Sequence, residues 1–230
     1  MREAVRYAAE RIVDLYVTAD AAARYPEIVE AARAAGVYVH EVSPAVLAAM
    51  SKTDAPQGLL AVCRASEPPL EAVLAAGPRL LVMLNQVRDP GNAGTVIRAA
   101  DAAGADAVLV TDSSVDVYGP KVVRSTAGSI FHLPVLTGLA VEPTVAALRA
   151  RGIRVLAADG GGTQLLGETD LSTSHTWLMG NEAWGLPAAV RDLADEVVRV
   201  PILGKAESLN LAMAATVCLY ASAGVIASRA

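Results

Sequence analysis

Apolar residues fall along this chain in short runs separated by segments of helical period. The run at 80–84, Leu-Leu-Val-Met-Leu, contains no polar residue, as expected of a strand covered on both faces. Shorter runs at 107–110, 154–157, 177–179 and 197–200 predict further strands. Around them the pattern predicts helices over 93–103, 142–151 and 208–228. Strands alternating with helices in this way build a mostly parallel sheet.

Upstream the same alternation is more compact. It predicts a helix over 2–12, a strand over 15–18, a helix over 19–35 stopped by Gly36, a strand over 37–39, a helix over 44–50 and a strand over 59–62. Arg64-Ala65-Ser66-Glu67-Pro68-Pro69 reads as a linker. The expected organisation is therefore a small α/β domain at 1–64, a linker at 65–79 and a larger α/β domain at 80–230.

Composition narrows the class. With 230 residues, 53% of them hydrophobic and 19% charged, the chain is globular rather than disordered. Apolar segments are interrupted before reaching the roughly 18 residues a membrane span needs. The stretch 209–230 comes nearest, and its small side chains predict a buried or interface helix instead. Met1-Arg2-Glu3-Ala4 shows no basic-then-apolar leader. Cys63 and Cys218 stand far apart and read as free thiols in a reducing cytoplasm. His40, His132 and His175 are scattered, so no metal site is expected. A net charge of −5 argues against non-specific coating of nucleic acid, which runs on phosphate neutralisation. Arg88, Arg98 and Lys205 nevertheless fall within three polar segments, and Lys121 and Arg124 lie between the first and second of these.

Those segments, at 85–98, 180–186 and 201–210, each follow an apolar run where a strand should stop and a helix begin. In open α/β sheets, ligands bind at such strand ends. Taken singly, the residues have plain readings. Asn92 is placed to cap a helix, Glu182 to cap the helix after its strand, and Ser208 and Asn210 to act as N-caps. Arg98 by itself reads as a surface arginine. Asp159-Gly160-Gly161-Gly162 lacks the spacing of a phosphate loop and reads as a flexible active-site loop. Trp177 and Trp184 read as packing residues.

In order and spacing, however, Asn92-x-Gly94-x-x-x-Arg98, Gly180-Asn181-Glu182-x-x-Gly185-Leu186 and the segment 201–210 ending in Ser208-Leu209-Asn210 resemble three signature motifs. They are those of the SpoU (TrmH-like) family of RNA ribose 2′-O-methyltransferases, in the SPOUT superfamily. The resemblance spans roughly residues 80–225. Residues 1–64 are similar to the ribosomal-protein-like RNA substrate-binding domain that many members carry.

The resemblance implies a SPOUT-type sheet with a C-terminal trefoil knot, an exception to ordinary chain topology. It implies S-adenosylmethionine as methyl donor, without a metal, contacted at Gly180, Val200, Ile202 and Leu209. Arg98 takes the key catalytic position, and the family sometimes assigns it as general base. A guanidinium almost never loses its proton. We therefore favour phosphate binding and stabilisation of the developing alkoxide. Asn92, Glu182, Ser208 and Asn210 would hold the arginine, the ribose and the loop ends. Gly180 and Gly204 would admit close backbone approach to the donor. Arg88, Lys121 and Arg124 are candidate RNA contacts. The implied assembly is a homodimer; the helix face Leu211, Ala215, Leu219 and Ala223 is equally consistent with a close-packed two-fold contact and with an intramolecular core. The implied substrate is 23S-type ribosomal RNA rather than transfer RNA. A nucleotide-dependent oxidoreductase lacks its dinucleotide fingerprint here. A transfer RNA ribose 2′-O-methyltransferase and a catalytically silent RNA-binding protein stay open as the alternatives.

Overall fold

The computed structural model describes residues 1–228 except 52 and 54. The chain forms two compact units, Met1–Ser66 and Glu67–Ala230.

The first unit runs α1 (Arg2–Tyr7), β1 (Ile12–Val17), α2 (Ala19–Arg24), α3 (Pro26–Ala34), β2 (Tyr38–Glu41), α4 (Pro44–Met50) and β3 (Leu59–Cys63). Its sheet has the order β2-β1-β3, with β1 parallel to β2 and antiparallel to β3. Thr18 caps α2 and Ser43 caps α4 through their side-chain oxygens. The single helix expected over 19–35 is two helices. Pro26 has no N–H to continue α2 and disfavours helical backbone at the residue before it. Tyr25 accordingly sits at φ −130°, ψ 53°.

The second unit runs α5 (Leu70–Ala75), β4 (Leu80–Leu84), α6 (Pro90–Ala102), β5 (Ala107–Thr111), α7 (Pro120–Ser125), β6 (Val135–Leu139), α8 (Val141–Ala150), β7 (Arg154–Ala158), β8 (Gln164–Leu165), β9 (His175–Met179), α9 (Ala188–Arg191), β10 (Glu196–Arg199) and α10 (Leu211–Ala227). All pairings in its seven-stranded sheet, ordered β6-β5-β4-β9-β7-β10-β8, are parallel. Every residue of β4, β5 and β9 is buried. Leu80, Val82 and Leu84 face a core shared with α6 and α10. Leu81 and Met83 face a second core with α5 and α8. The α/β class and the parallel sheet match the sequence pattern.

Several elements depart from it. Part of the stretch expected as linker is α5, whose Val73 and Leu74 are buried in the second core. The sequence pattern does not disclose α7, β6, β8 or α9, which are short or lie among polar and glycine-containing segments with weak periodicity. The terminal helix begins at Leu211, not Ser208, because Asn210 is its cap.

Helix α10 packs on β9 through polar as well as apolar contacts. The Ser222 hydroxyl oxygen lies 2.7 Å from His175 Nε2 and accepts from the Trp177 indole N–H at 2.9 Å. Burial lowers the His175 pKa below its ordinary value and pushes the Cys218 thiol up to about 12. Both groups are neutral parts of the core at neutral pH. Of the two placements open to that helix face, Ala215 and Leu219 take the intramolecular core. The exposed stripe of α10 is Met213, Val217 and Tyr220. Among the described residues, no helix is long and apolar enough to cross a membrane.

Candidate active site

The carboxyl ends of β7, β9 and β10 enclose a cavity of about 510 Å³. Its walls come from Ala158 to Gly160 after β7, from Met179 to Glu182 and Gly185 after β9, and from Val198 to Val200 at the end of β10. Ile202 and Glu207 to Leu209 of the following loop close it, together with Leu211 and Ala214 of α10. Parallel strands all end on one edge, and the loops leaving that edge must diverge, which opens the crevice.

Four expected donor contacts, Gly180, Val200, Ile202 and Leu209, line this cavity along with Glu182 and Ser208. Asn92, Arg98 and Asn210 do not line it. Asn92 and Asn210 join it through Glu182. One carboxylate oxygen of Glu182 accepts from the Asp89 backbone N–H at 3.1 Å and from Asn92 Nδ2 at 3.2 Å. The other accepts from the Arg88 N–H at 3.3 Å. Asn92 Oδ1 in turn accepts from Asn210 Nδ2 at 3.0 Å. Three loops from distant parts of the chain are thereby tied by side chains of the three motifs.

This network revises the plain readings. Asn92 does not cap α6; Asp89 does, accepting the Asn92 N–H at 2.7 Å. Glu182 serves the chain entering α6, not the helix after its own strand. Asn210 does cap α10, with Oδ1 accepting from Ala212 and Met213. Ser208 is exposed, with no hydrogen-bond partner among the described residues.

Arg98 is exposed, two turns along α6 from the network, and makes no hydrogen bond or ion pair among the described residues. It lies one turn beyond Gly94, on the same side of α6. Gly94 meets α7 so closely that a Cβ there would stand 2.4 Å from the Ser125 Cβ and 2.7 Å from the Val122 carbonyl oxygen. That contact explains the glycine of the first motif, and it sets α7, with exposed Lys121 and Arg124, beside the Arg98 helix.

The glycines of the other two loops differ from each other in their surroundings. A Cβ on Gly180 would lie 2.4 Å from the Gly185 carbonyl carbon. Its own loop therefore requires a glycine at this position, which also lines the cavity. A Cβ on Gly204 would meet nothing within 4 Å.

Sequence reasoning passed over Asn181 and Gln86. Asn181 Nδ2 donates to the Gln86 carbonyl at 2.6 Å, and Gln86 takes a left-handed φ of 52° to present it. A non-glycine residue in that region costs about 1–3 kcal/mol and is held there by its surroundings. Asn181 stands inside the second motif, which was the available signal. Gln86 carried none. Among the described residues, no group of His, Cys, Asp or Glu is arranged to hold a metal ion.

An all-parallel sheet with a nucleoside-sized cavity at its carboxyl edge, laced by these three motifs, defines a SPOUT-type methyltransferase. The comparisons agree in detail. The model of the SpoU rRNA methylase family matches residues 79–220, and that of the RNA 2′-O ribose methyltransferase substrate-binding domain matches residues 2–69. The chain belongs to the SpoU rRNA methylase family. The 23S rRNA (guanosine(2553)-2′-O)-methyltransferase RlmP of Bacillus subtilis is 37% identical over 80% of this chain and 72% of its own length. The 23S rRNA (guanosine-2′-O-)-methyltransferase RlmB of Bordetella pertussis is 34% identical over 95% of this chain and 91% of its own. The crystal structure of the SpoU methyltransferase AviRb from Streptomyces viridochromogenes, in complex with the cofactor AdoMet, superposes with a TM-score of 0.84. It is 30% identical, over 98% of this chain and 87% of that one. The family resemblance drawn from the motifs therefore holds.

Proposed function

We propose that this chain transfers a methyl group from S-adenosylmethionine to a ribose 2′-hydroxyl of RNA, with 23S-type ribosomal RNA as substrate. The observation that carries the reading is the cavity whose wall residue Glu182 is bonded to Asn92 and, through it, to Asn210.

The donor fits the residues present. Val200, Ile202, Leu209 and Leu211 offer apolar surface for an adenine ring, and strand-end backbone groups are at hand to read its edge. Asp159, Glu182 and Glu207 line the same cavity with one cationic side chain, Arg199. That balance suits a ligand carrying a sulfonium and an ammonium group. When bound, the donor supplies an electrophilic methyl on its sulfonium.

The chain's own task is positioning. Glu182, Asn92 and Asn210 hold the loops so that the acceptor ribose meets the donor in line, an orientation that supplies much of the rate. Arg98 binds the phosphate beside the target nucleotide and stabilises the developing alkoxide. Arg88, Lys121 and Arg124 extend the phosphate contacts. The unit Met1–Ser66 binds RNA, and the unit Glu67–Ala230, whose core includes α5, carries catalysis.

The assembly is a homodimer in which two subunits pool their local cations, reconciling RNA binding with a net charge of −5. We further propose the trefoil knot and a cytoplasmic site of action.

The test is transfer of labelled methyl to protein-free 23S ribosomal RNA and, separately, to bulk transfer RNA, followed by digestion to the modified nucleotide. A 2′-O-methyl mark in 23S RNA is the expected result. A mark in transfer RNA alone would overturn the substrate, and donor binding without transfer to any RNA would leave a silent RNA-binding protein.

A further inference from the structure

Trp184 is a large aromatic side chain left 52% exposed, although burying such a ring is among the larger stabilising contributions a residue makes. Its position is firmly held. Asn181 and Gly185 exchange two backbone hydrogen bonds of 2.9 Å around it. The Ala183 N–H donates to Asn181 Oδ1 at 2.8 Å, and Gly185 takes the φ of +67° that closes the turn. Asn181, Glu182 and Gly185, which flank Trp184 in the chain, all line the cavity. An indole is thus mounted on a rigid turn at the rim of the active site.

The Arg88 guanidinium lies over that ring, 5.4 Å from its centroid, and the Arg88 backbone N–H is anchored on Glu182. The same carboxylate therefore fixes the start of the turn that carries the ring and the segment that carries its cation.

We propose that Trp184 is a nucleobase-stacking residue, taking an unpaired base of the RNA beside the reacting nucleotide, with Arg88 as the residue that positions the ring. This rests on the methyltransferase reading above. An exposed aromatic face backed by a guanidinium is the pairing by which single-stranded RNA is held, the ring meeting the base and the cation the neighbouring phosphate. Because the turn is already ordered, stacking carries little entropic cost on the protein side. Trp177, the other tryptophan of the chain, is wholly buried and spends its N–H on Ser222, so the role falls to Trp184 alone.

That division also provides the readout. Intrinsic tryptophan emission that changes when RNA is added reports Trp184. Titration with a short single-stranded oligoadenylate, and with the 23S ribosomal RNA that the protein methylates, should quench emission. Abasic oligonucleotide should not.

Trp184→Ala should weaken RNA binding roughly 5- to 150-fold, raising KM for RNA with S-adenosylmethionine affinity unchanged. Trp184→Phe should restore much of the loss. Arg88→Ala should shift the emission of the free protein and raise KM less. Methyl transfer with no quenching, or an unchanged KM in Trp184→Ala, overturns the stacking role alone. Quenching by RNA without methyl transfer supports stacking and overturns the enzymatic reading. Neither signal overturns both.

Discussion

Asn210 and Asn92, 118 residues apart in sequence, share a hydrogen bond of 3.0 Å between their side chains. Asn210 Oδ1 meanwhile caps α10, so a single side chain both starts the terminal helix and fastens it to the first turn of α6. Asn210→Ala loses both functions. Loss of the cap should lower stability by about 1 kcal/mol in urea unfolding. Methyl transfer should fall further than that stability change accounts for; activity intact at the lowered stability would mean that the tie has no catalytic value.

Glu182 accepts three hydrogen bonds on two oxygens. Glu182→Gln keeps the shape but turns one acceptor into a donor that faces an N–H. The expected cost is about 1–3 kcal/mol, and turnover should drop tenfold or more at about that penalty if it is felt in the transition state. Circular dichroism would establish that the fold survives, and full activity in a folded variant would remove Glu182 from the working site.

Arg98 stands exposed without a partner among the described residues, as a residue awaiting an external anion should. Arg98→Lys preserves the charge and loses the planar fork. Donor affinity, measured by calorimetry, should be unchanged while turnover falls sharply. Equal turnover would dismiss the assigned role.

Gly180 and Gly204 make a matched pair for stability. Gly180→Ala drives a Cβ to 2.4 Å from backbone that has no free direction to yield, whereas Gly204→Ala meets open space. The first should be destabilised by about 1–3 kcal/mol or more and the second should melt like the wild type. Similar melting temperatures for the two would contradict the close approach of Gly180 to Gly185.

His175 is buried neutral, with its pKa lowered from 6.5 chiefly by desolvation. The unfolded chain therefore binds a proton that the folded chain refuses between the lowered value and 6.5. Stability is complete above that window and declines as pH falls through it. Urea unfolding at about pH 8 and about pH 5.5 should show the loss, and His175→Gln should reduce it. A wild-type profile flat across that interval would place the charged imidazole comfortably in the fold.

Much of this molecule is local in origin and so was readable in advance. The run Leu80 to Leu84 is apolar at every position because both faces of β4 are covered. The three motifs fall at strand ends because only there does the backbone leave the sheet. What failed locally failed for physical reasons. Pro26 split a helix whose apolar period runs on through it. α5 gains its stability from Val73 and Leu74 packing into the second core, a gain no six-residue window discloses.

The sequence by itself determined the class, since residue types at fixed spacing specify both strand-end loops and the family to which they belong. Only the tertiary structure decided which side chains meet. That Asn92 serves Glu182 and Asn210 rather than its own helix, that Ala215 and Leu219 point into the core while Met213 and Tyr220 do not, and that one tryptophan is sealed and the other held open, all depend on contacts across 45 to 118 residues. Hydrogen bonds and packing act over a few ångströms in space, and a linear pattern carries no measure of that distance.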